Sequence, residues 1–404
     1  MARRVLILGG GIGGVAAANA LRARLPAADS VVVIDRARDQ LFAPSLLWLM
    51  VGTRRPDRLS VPIQRHLRSG IDVVTADVRA IDADRRRVTT DAGVLEADAL
   101  VLALGAELAP DASPGFLEAA HDIYTLDGAT RFASALAAFE GGRIAVAVSG
   151  LPFKCPAAPY EAALLVDADL RRRKIRDRSR IDVYTPEPLP MPVAGPTLGE
   201  AVVELLRERG IDFHPGRSIA SYDAAAREIA FTDGGRAGYD LLAAVPPHRA
   251  PAPVRESALA GPAGWIPVDR RTLSAAHDGV FALGDVSAVA LASGKFLPKA
   301  GVFAHAEGSV VADQIAERFG LGPGRAFDGV GSCWIELGAG RAAFAVGDFY
   351  AEPDPQIALR RPGRIWHLGK VLFERAWLGA GPERLLADIG LRIGGRLAGV
   401  RVPL

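Results

Sequence analysis

The chain has 404 residues, half of them hydrophobic, and its 48 Lys and Arg against 46 Asp and Glu leave a formal net charge of +2. That length builds two domains with sizeable cores plus a remainder, and a charge so near balance gives no electrostatic case for nucleic acid. Only two cysteines occur, Cys155 and Cys333; this excludes a disulfide-rich secreted scaffold and a four-cysteine metal site, so no metal is expected.

An apolar run, Val5–Leu8, reads as a short buried strand and leads into Gly9-x-Gly11-x-x-Gly14, followed by a helix over Val15–Leu25. The three glycines serve a tight turn, close approach of backbone to phosphate, and close helix–strand packing. The helix N-terminus then offers free N–H groups and a positive dipole end to a pyrophosphate. A second buried strand, Val31–Ile34, ends in Asp35, 21 residues after Gly14, with Arg36 beside it. An acid there holds a ribose hydroxyl. Glycine turns without function are common, but this order of strand, turn, helix and acid points to a dinucleotide site. No secretory leader precedes the first strand and no run of eighteen apolar residues follows, so a cytoplasmic location without a membrane span is expected.

The apolar stretch 41–52 reads as a buried helix or the edge of a flavin pocket. Short strands follow at Ile71–Asp77, Val78–Asp82 and Arg87–Thr90, then an apolar strand at Ala99–Leu104 closed by Gly105. That glycine lets the chain pass beside the dinucleotide, unless the strand is simply core. A Pro- and Ala-rich link, Ala109–Gly115, marks a boundary.

Beyond it the α/β rhythm repeats: helix Gly128–Phe139, strand Arg143–Val148, helix Tyr160–Leu170, strand Arg180–Tyr184, helix Leu198–Glu208 and a strand ending near Phe213. This is a second doubly wound unit. Its first turn reads SGLPFKCP (149–156), with prolines where glycines would cradle phosphate, so a nicotinamide dinucleotide finds no phosphate loop. The basic run Arg171–Lys174 with Arg176 and Arg178 reads as a solvated helix end.

Val280–Leu283 forms a further buried strand running into Gly284-Asp285, which suits a carboxylate facing a ribityl hydroxyl, or an ordinary turn. Lys299 and Gly301 precede a helix over Val302–Phe319. A helix N-terminus and a lysine there favour the negative charge of a reduced flavin. From about Gly331 the chain holds Cys333 and an aromatic, basic tail.

Taken together, GGGIGG with Asp35, FAPSLLW, IYTLDGA, GLPFKCPAAPYE, FALGDV, LPKAGVFAHAEG and CWIELG resemble the sulfide:quinone oxidoreductase and flavocytochrome c sulfide dehydrogenase family. The resemblance covers nearly the whole chain. It implies two Rossmann-like domains of the disulfide-reductase kind: an FAD-binding domain in two parts (1–110 and 245–330), a second domain with a degenerate NAD site (111–244), and a C-terminal segment (331–404) for membrane association or an interface. It also implies that Cys155 and Cys333, 178 residues apart, form a redox disulfide that sulfide attacks, leaving a persulfide and a thiolate that passes two electrons to FAD and on to a quinone. Lys154 or a helix N-terminus after Pro156 would lower the pKa of that thiolate. Glu161 is a candidate proton carrier, or an exposed helix carboxylate.

No cysteine lies near Phe42–Ser45, where flavocytochrome members attach the cofactor, so FAD is expected to be non-covalent, with Ser45 at its edge. The tail segment Trp366–Leu378 is apolar on most sides of a helix, and Leu385, Leu386, Ile389, Ile393, Leu397 and Val400 share one face of the last segment. Arg384, Arg392, Arg396 and Arg401 lie elsewhere. Such a face suits a peripheral contact with the cytoplasmic side of a membrane that delivers quinone, a dimer interface, or a packed hairpin. Two rival functions share the fold: a type II NADH:quinone oxidoreductase, and a flavin-binding protein without sulfide turnover.

Overall fold

Val5, Leu6, Ile7 and Leu8 are fully buried because their strand, Arg4–Leu8, is the middle of a five-stranded parallel sheet. A strand covered on both faces reads as a continuous apolar run. The computed structural model describes residues 2–397 and Gly399. In space the strands run Val280–Ala282, Ala99–Leu102, Arg4–Leu8, Ser30–Asp35, Ile71–Thr75, every pair parallel. Val280–Ala282 completes a sheet begun by far earlier strands. The chain between builds a second parallel sheet: His121–Asp122, Leu241–Val245, Gly142–Val148, Ser179–Tyr184, Asp212–His214. Two Rossmann-like units of the disulfide-reductase kind are thus present.

The helix after the glycine turn, Ile12–Arg24, packs against Gly301–Arg318. Small residues let them approach: a Cβ on Gly308 would sit 2.7 Å from the Gly13 carbonyl oxygen. That contact brings the starts of both helices to one end of the first sheet.

The C-terminal part differs from the tail expected. Val330–Gly338, Arg341–Asp348 and Gln356–Gly363 form a three-stranded antiparallel sheet. Two helices follow, Arg364–Leu378 and Gly381–Leu397, packed as a hairpin through Ala376, Ala387 and Leu391. Leu385, Leu386, Ile389, Ile393 and Leu397 remain exposed on its outer face. Val400 and Arg401 lie outside the described residues. No helix among those described is long and apolar enough to cross a membrane.

The basic run is more than a solvated helix end. Arg171, Arg176 and Arg209 converge on the fully buried carboxylate of Asp167, tying the end of helix Ala158–Arg172 to the chain that follows.

Candidate cofactor and redox site

The glycine turn has the shape a pyrophosphate needs. Gly9 sits at φ +107°, and a Cβ there would fall 2.2 Å from Ala103 O; one on Gly14 would fall 1.9 Å from Gly9 O. Gly11 faces open space, with nothing within 4 Å of a Cβ position, so backbone can approach phosphate there. Asp35 ends the second strand. Its carboxylate accepts from the Gly10 N–H at 2.6 Å and the Ala37 N–H at 2.8 Å, leaving lone pairs for a ribose hydroxyl. Arg36 is exposed. Gly105, at φ +69°, also faces open space.

Across the sheet, Gly284 lies at φ +69° and its N–H donates to the buried Glu307 at 2.6 Å. Burial raises the Glu307 carboxyl to about 7, against the pull of that bond. The ammonium of Lys299 donates to Asp285 O at 2.5 Å and Ser287 O at 3.2 Å and rests over the Trp265 ring at 3.5 Å. Burial lowers Lys299 to about 8, with Asp285 and Glu307 resisting. Gly301 opens the helix beyond it. These residues, with the glycine turn, are of a kind that fits a dinucleotide.

The redox disulfide does not form. Cys155 and Cys333 are free thiols, although both line one cavity. The Cys333 thiol donates to Trp334 O at 3.4 Å, and Cys155 is held in left-handed backbone by its N–H bond to Lys299 O at 2.7 Å. Neither has a lowered pKa. Burial pushes Cys333 up to about 12, helped by Glu161, and pushes Cys155 well above the ordinary thiol range, helped by Cys333. Lys154 reaches Ala106 O at 3.5 Å instead of serving the thiol.

Glu161 is buried, not an exposed helix carboxylate. It accepts from Lys370 Nζ and from the Glu336 N–H, both at 2.8 Å. Glu336, also buried, lies 2.9 Å from Nδ1 of the half-buried His367. Burial raises the Glu161 carboxyl, with Lys370 opposing; burial works to lower Lys370, but Glu161 and Glu336 more than offset it and hold it protonated. The result is a connected file of polar groups, Glu161, Lys370, Glu336 and His367, running from the helix behind the thiols toward the surface. Glu336 stands in CWIELG, and Lys370 interrupts an apolar helix; both are signals that sequence reasoning passed over.

Ser45 is fully buried and donates to Glu374 at 2.5 Å, with Arg54 on the same carboxylate at 2.8 Å. It holds helix Arg364–Leu378 to the stretch Leu46–Met50.

The cavity beside the thiols has a volume of about 520 Å³. Its walls are apolar, including Phe153, Trp265, Phe296, Ile335 and Phe349, with Lys299 and Cys155 among the polar groups. Glu187 also lines it. Glu187 follows strand Ser179–Tyr184, a place where a nucleotide's ribose is held in such folds. Here the Tyr160 and Thr185 hydroxyls donate to its carboxylate, and burial raises it to about 7 against those bonds.

A family model described as pyridine nucleotide-disulphide oxidoreductase matches residues 3–308. The chain belongs to that family of FAD-binding oxidoreductases. Within it, the chain is closely related to the sulfide:quinone oxidoreductases. It is 24% identical over 372 residues to the mitochondrial sulfide:quinone oxidoreductase of Mus musculus, spanning 86% of this chain and 79% of that one. It is 25% identical over 331 residues to the type II NADH:quinone oxidoreductase of Staphylococcus haemolyticus, spanning 78% and 82%. The fold matches the structure of the sulfide:quinone oxidoreductase from Aquifex aeolicus with a TM-score of 0.82 at 24% identity, covering 93% of this chain and 91% of that chain. Membership of the family fixes the chemistry only as flavin-linked oxidoreduction. With the two thiols unbonded and protonated, it does not carry over a disulfide mechanism.

Proposed function

We propose that this chain is an FAD-dependent oxidoreductase that delivers electrons to a quinone, its flavin taking them from a donor without a disulfide relay. The observation that carries the reading is the apolar cavity of about 520 Å³ that reaches Lys299 at the head of the helix expected to face the flavin. Bound in the Gly9–Gly14 turn, FAD supplies the ability to take up and release two electrons. The chain's own groups do the rest. Lys299 and the helix N-terminus at Gly301 favour negative charge beside them, and apolar walls exclude water from the ring of a quinone. Glu161, Lys370, Glu336 and His367 are suited to bringing protons from the surface. FAD is held without a covalent bond, since the stretch Phe42–Ser45 carries no cysteine. The exposed face of the C-terminal hairpin supports peripheral contact with the cytoplasmic side of a quinone-bearing membrane.

A donor-independent test is direct. FAD-loaded protein is reduced by light under anaerobic conditions and mixed with decylubiquinone in a stopped-flow instrument. Return of the oxidised flavin spectrum within seconds, saturating with quinone, is expected. Flavin that stays reduced would leave a flavin-binding protein without turnover.

A further inference from the structure

The glycine turn is wired to the C-terminal hairpin. Gln40, buried, donates from Nε2 to Gly10 O at 2.6 Å and accepts at Oε1 from Trp377 Nε1 at 2.7 Å. The peptide groups on either side of Gly10 are therefore both gripped by side chains: its N–H donates to Asp35 and its carbonyl accepts from Gln40. Trp377 sits near the end of helix Arg364–Leu378, its ring 4.7 Å from the His66 ring and 6.2 Å from Phe42, stacked on both. On the same helical face, Lys370 meets Glu161, and Glu374 meets Ser45 and Arg54; residues spaced by four and three share one side. That face is buried while Ile365 and Leu368 are exposed.

We propose that Trp377 is a positioning residue for the cofactor turn: through Gln40 it fixes the Gly10 carbonyl, so that docking of helix Arg364–Leu378 and binding of the dinucleotide stabilise one another. The coupling rests on the reading of Gly9–Gly14 as the FAD turn. It follows from the economy of a buried amide. Gln40 carries two donors and an acceptor, and losing the indole N–H strands the acceptor, which favours rearrangement of the very side chain that holds the turn. By linkage the effect is reciprocal.

The test measures FAD affinity, not turnover, by quenching of flavin fluorescence in titrations of apoprotein. Trp377→Phe keeps an aromatic ring but removes the donor, and is expected to weaken FAD binding about ten-fold, in the range of a buried acceptor left unpaired. Trp334→Phe is the control, since the Trp334 indole nitrogen is buried without a partner among the described residues; its affinity should match wild type. Gln40→Leu should weaken binding at least as much, and adding Trp377→Phe to it should change nothing further, an interaction that general loss of stability would not produce. Wild-type affinity in Trp377→Phe overturns the proposal. Should that variant not fold, additive losses between Gln40→Leu and Trp377→Leu would overturn it equally. Failure of the wild-type chain to bind FAD at all would instead remove the reading of the turn, and the coupling with it.

Discussion

Glu161 and Lys370, 209 positions apart in sequence, meet at 2.8 Å with both side chains buried. The pair joins helix Ala158–Arg172 to the C-terminal hairpin. Removing one member strands the other. Lys370→Met is expected to lose about 3 kcal/mol of stability at alkaline pH, the usual order for a broken buried pair. Without the lysine, the already raised Glu161 pKa rises further above its unfolded value. The folded state then holds a proton that the unfolded state releases, so stability falls as pH rises through that interval. Urea midpoints should differ little from wild type near pH 5 and widely near pH 8; equal differences at both would show the pair is not coupled.

Glu187 offers a narrower pH test. Its pKa is raised from 4.5 to about 7, so protonated Glu187 favours the folded state at low pH and that contribution is lost as pH rises from about 4.5 to 7. The stability of wild type relative to Glu187→Gln should decline across this window and flatten above it. Chemical denaturation at pH 4.5, 6 and 8 measures it.

The two thiols should behave as half-buried, unbonded groups. Denatured protein prepared without reductant should react with two equivalents of thiol reagent, while native protein at pH 7.5 reacts at least about ten-fold more slowly, because burial keeps both protonated. Cys155→Ser and Cys333→Ser should each keep most of the rate at which quinone reoxidises photoreduced flavin. A loss approaching a hundred-fold in either would return sulfur to the electron path.

NADH is expected to be a weak donor in spite of the similarity to type II enzymes. Pro152 and Pro156 remove backbone donors from the turn after strand Gly142–Val148, and the Glu187 carboxylate is taken up by Tyr160 and Thr185. Half-saturation in a flavin-bleaching assay should lie at roughly millimolar NADH, above the usual range of enzyme half-saturation constants. Saturation at micromolar NADH would show that the second domain holds the nucleotide by other groups.

Truncation after Leu378 keeps Trp377 but removes the helix bearing Leu385, Leu386, Ile389 and Ile393, all exposed. Sedimentation with phosphatidylglycerol vesicles should fall by about ten-fold or more, since interfacial binding scales with buried apolar area, while FAD stays bound. Unchanged sedimentation would assign that face to another contact.

Much of the fold was legible before any coordinates, because its signals are local. Val5–Leu8 announces a doubly buried strand by composition alone, and Gly9–Gly14 announces its turn because L side chains would collide there. The degenerate turn at Ser149–Pro156 was equally plain. The antiparallel sheet Val330–Gly363 was not, since its strands are tied by partners in space and one of them, Gln356–Gly363, alternates half-buried and exposed residues with arginines among them.

The site divides the same way. Residues that serve through their own backbone, such as Gly9 and Gly14 in the tight turn, carry that role in their type and spacing. Residue types and their spacing point to a dinucleotide turn, to a second unit without such a turn, and to two cysteines in family-like motifs. Contacts between distant segments leave those cysteines as free thiols, bury Glu161 against Lys370 and link the turn to Trp377 through Gln40. Each depends on burial and on partners brought from distant parts of the chain, and desolvation, which sets pKa and the cost of an unpaired group, has no local code.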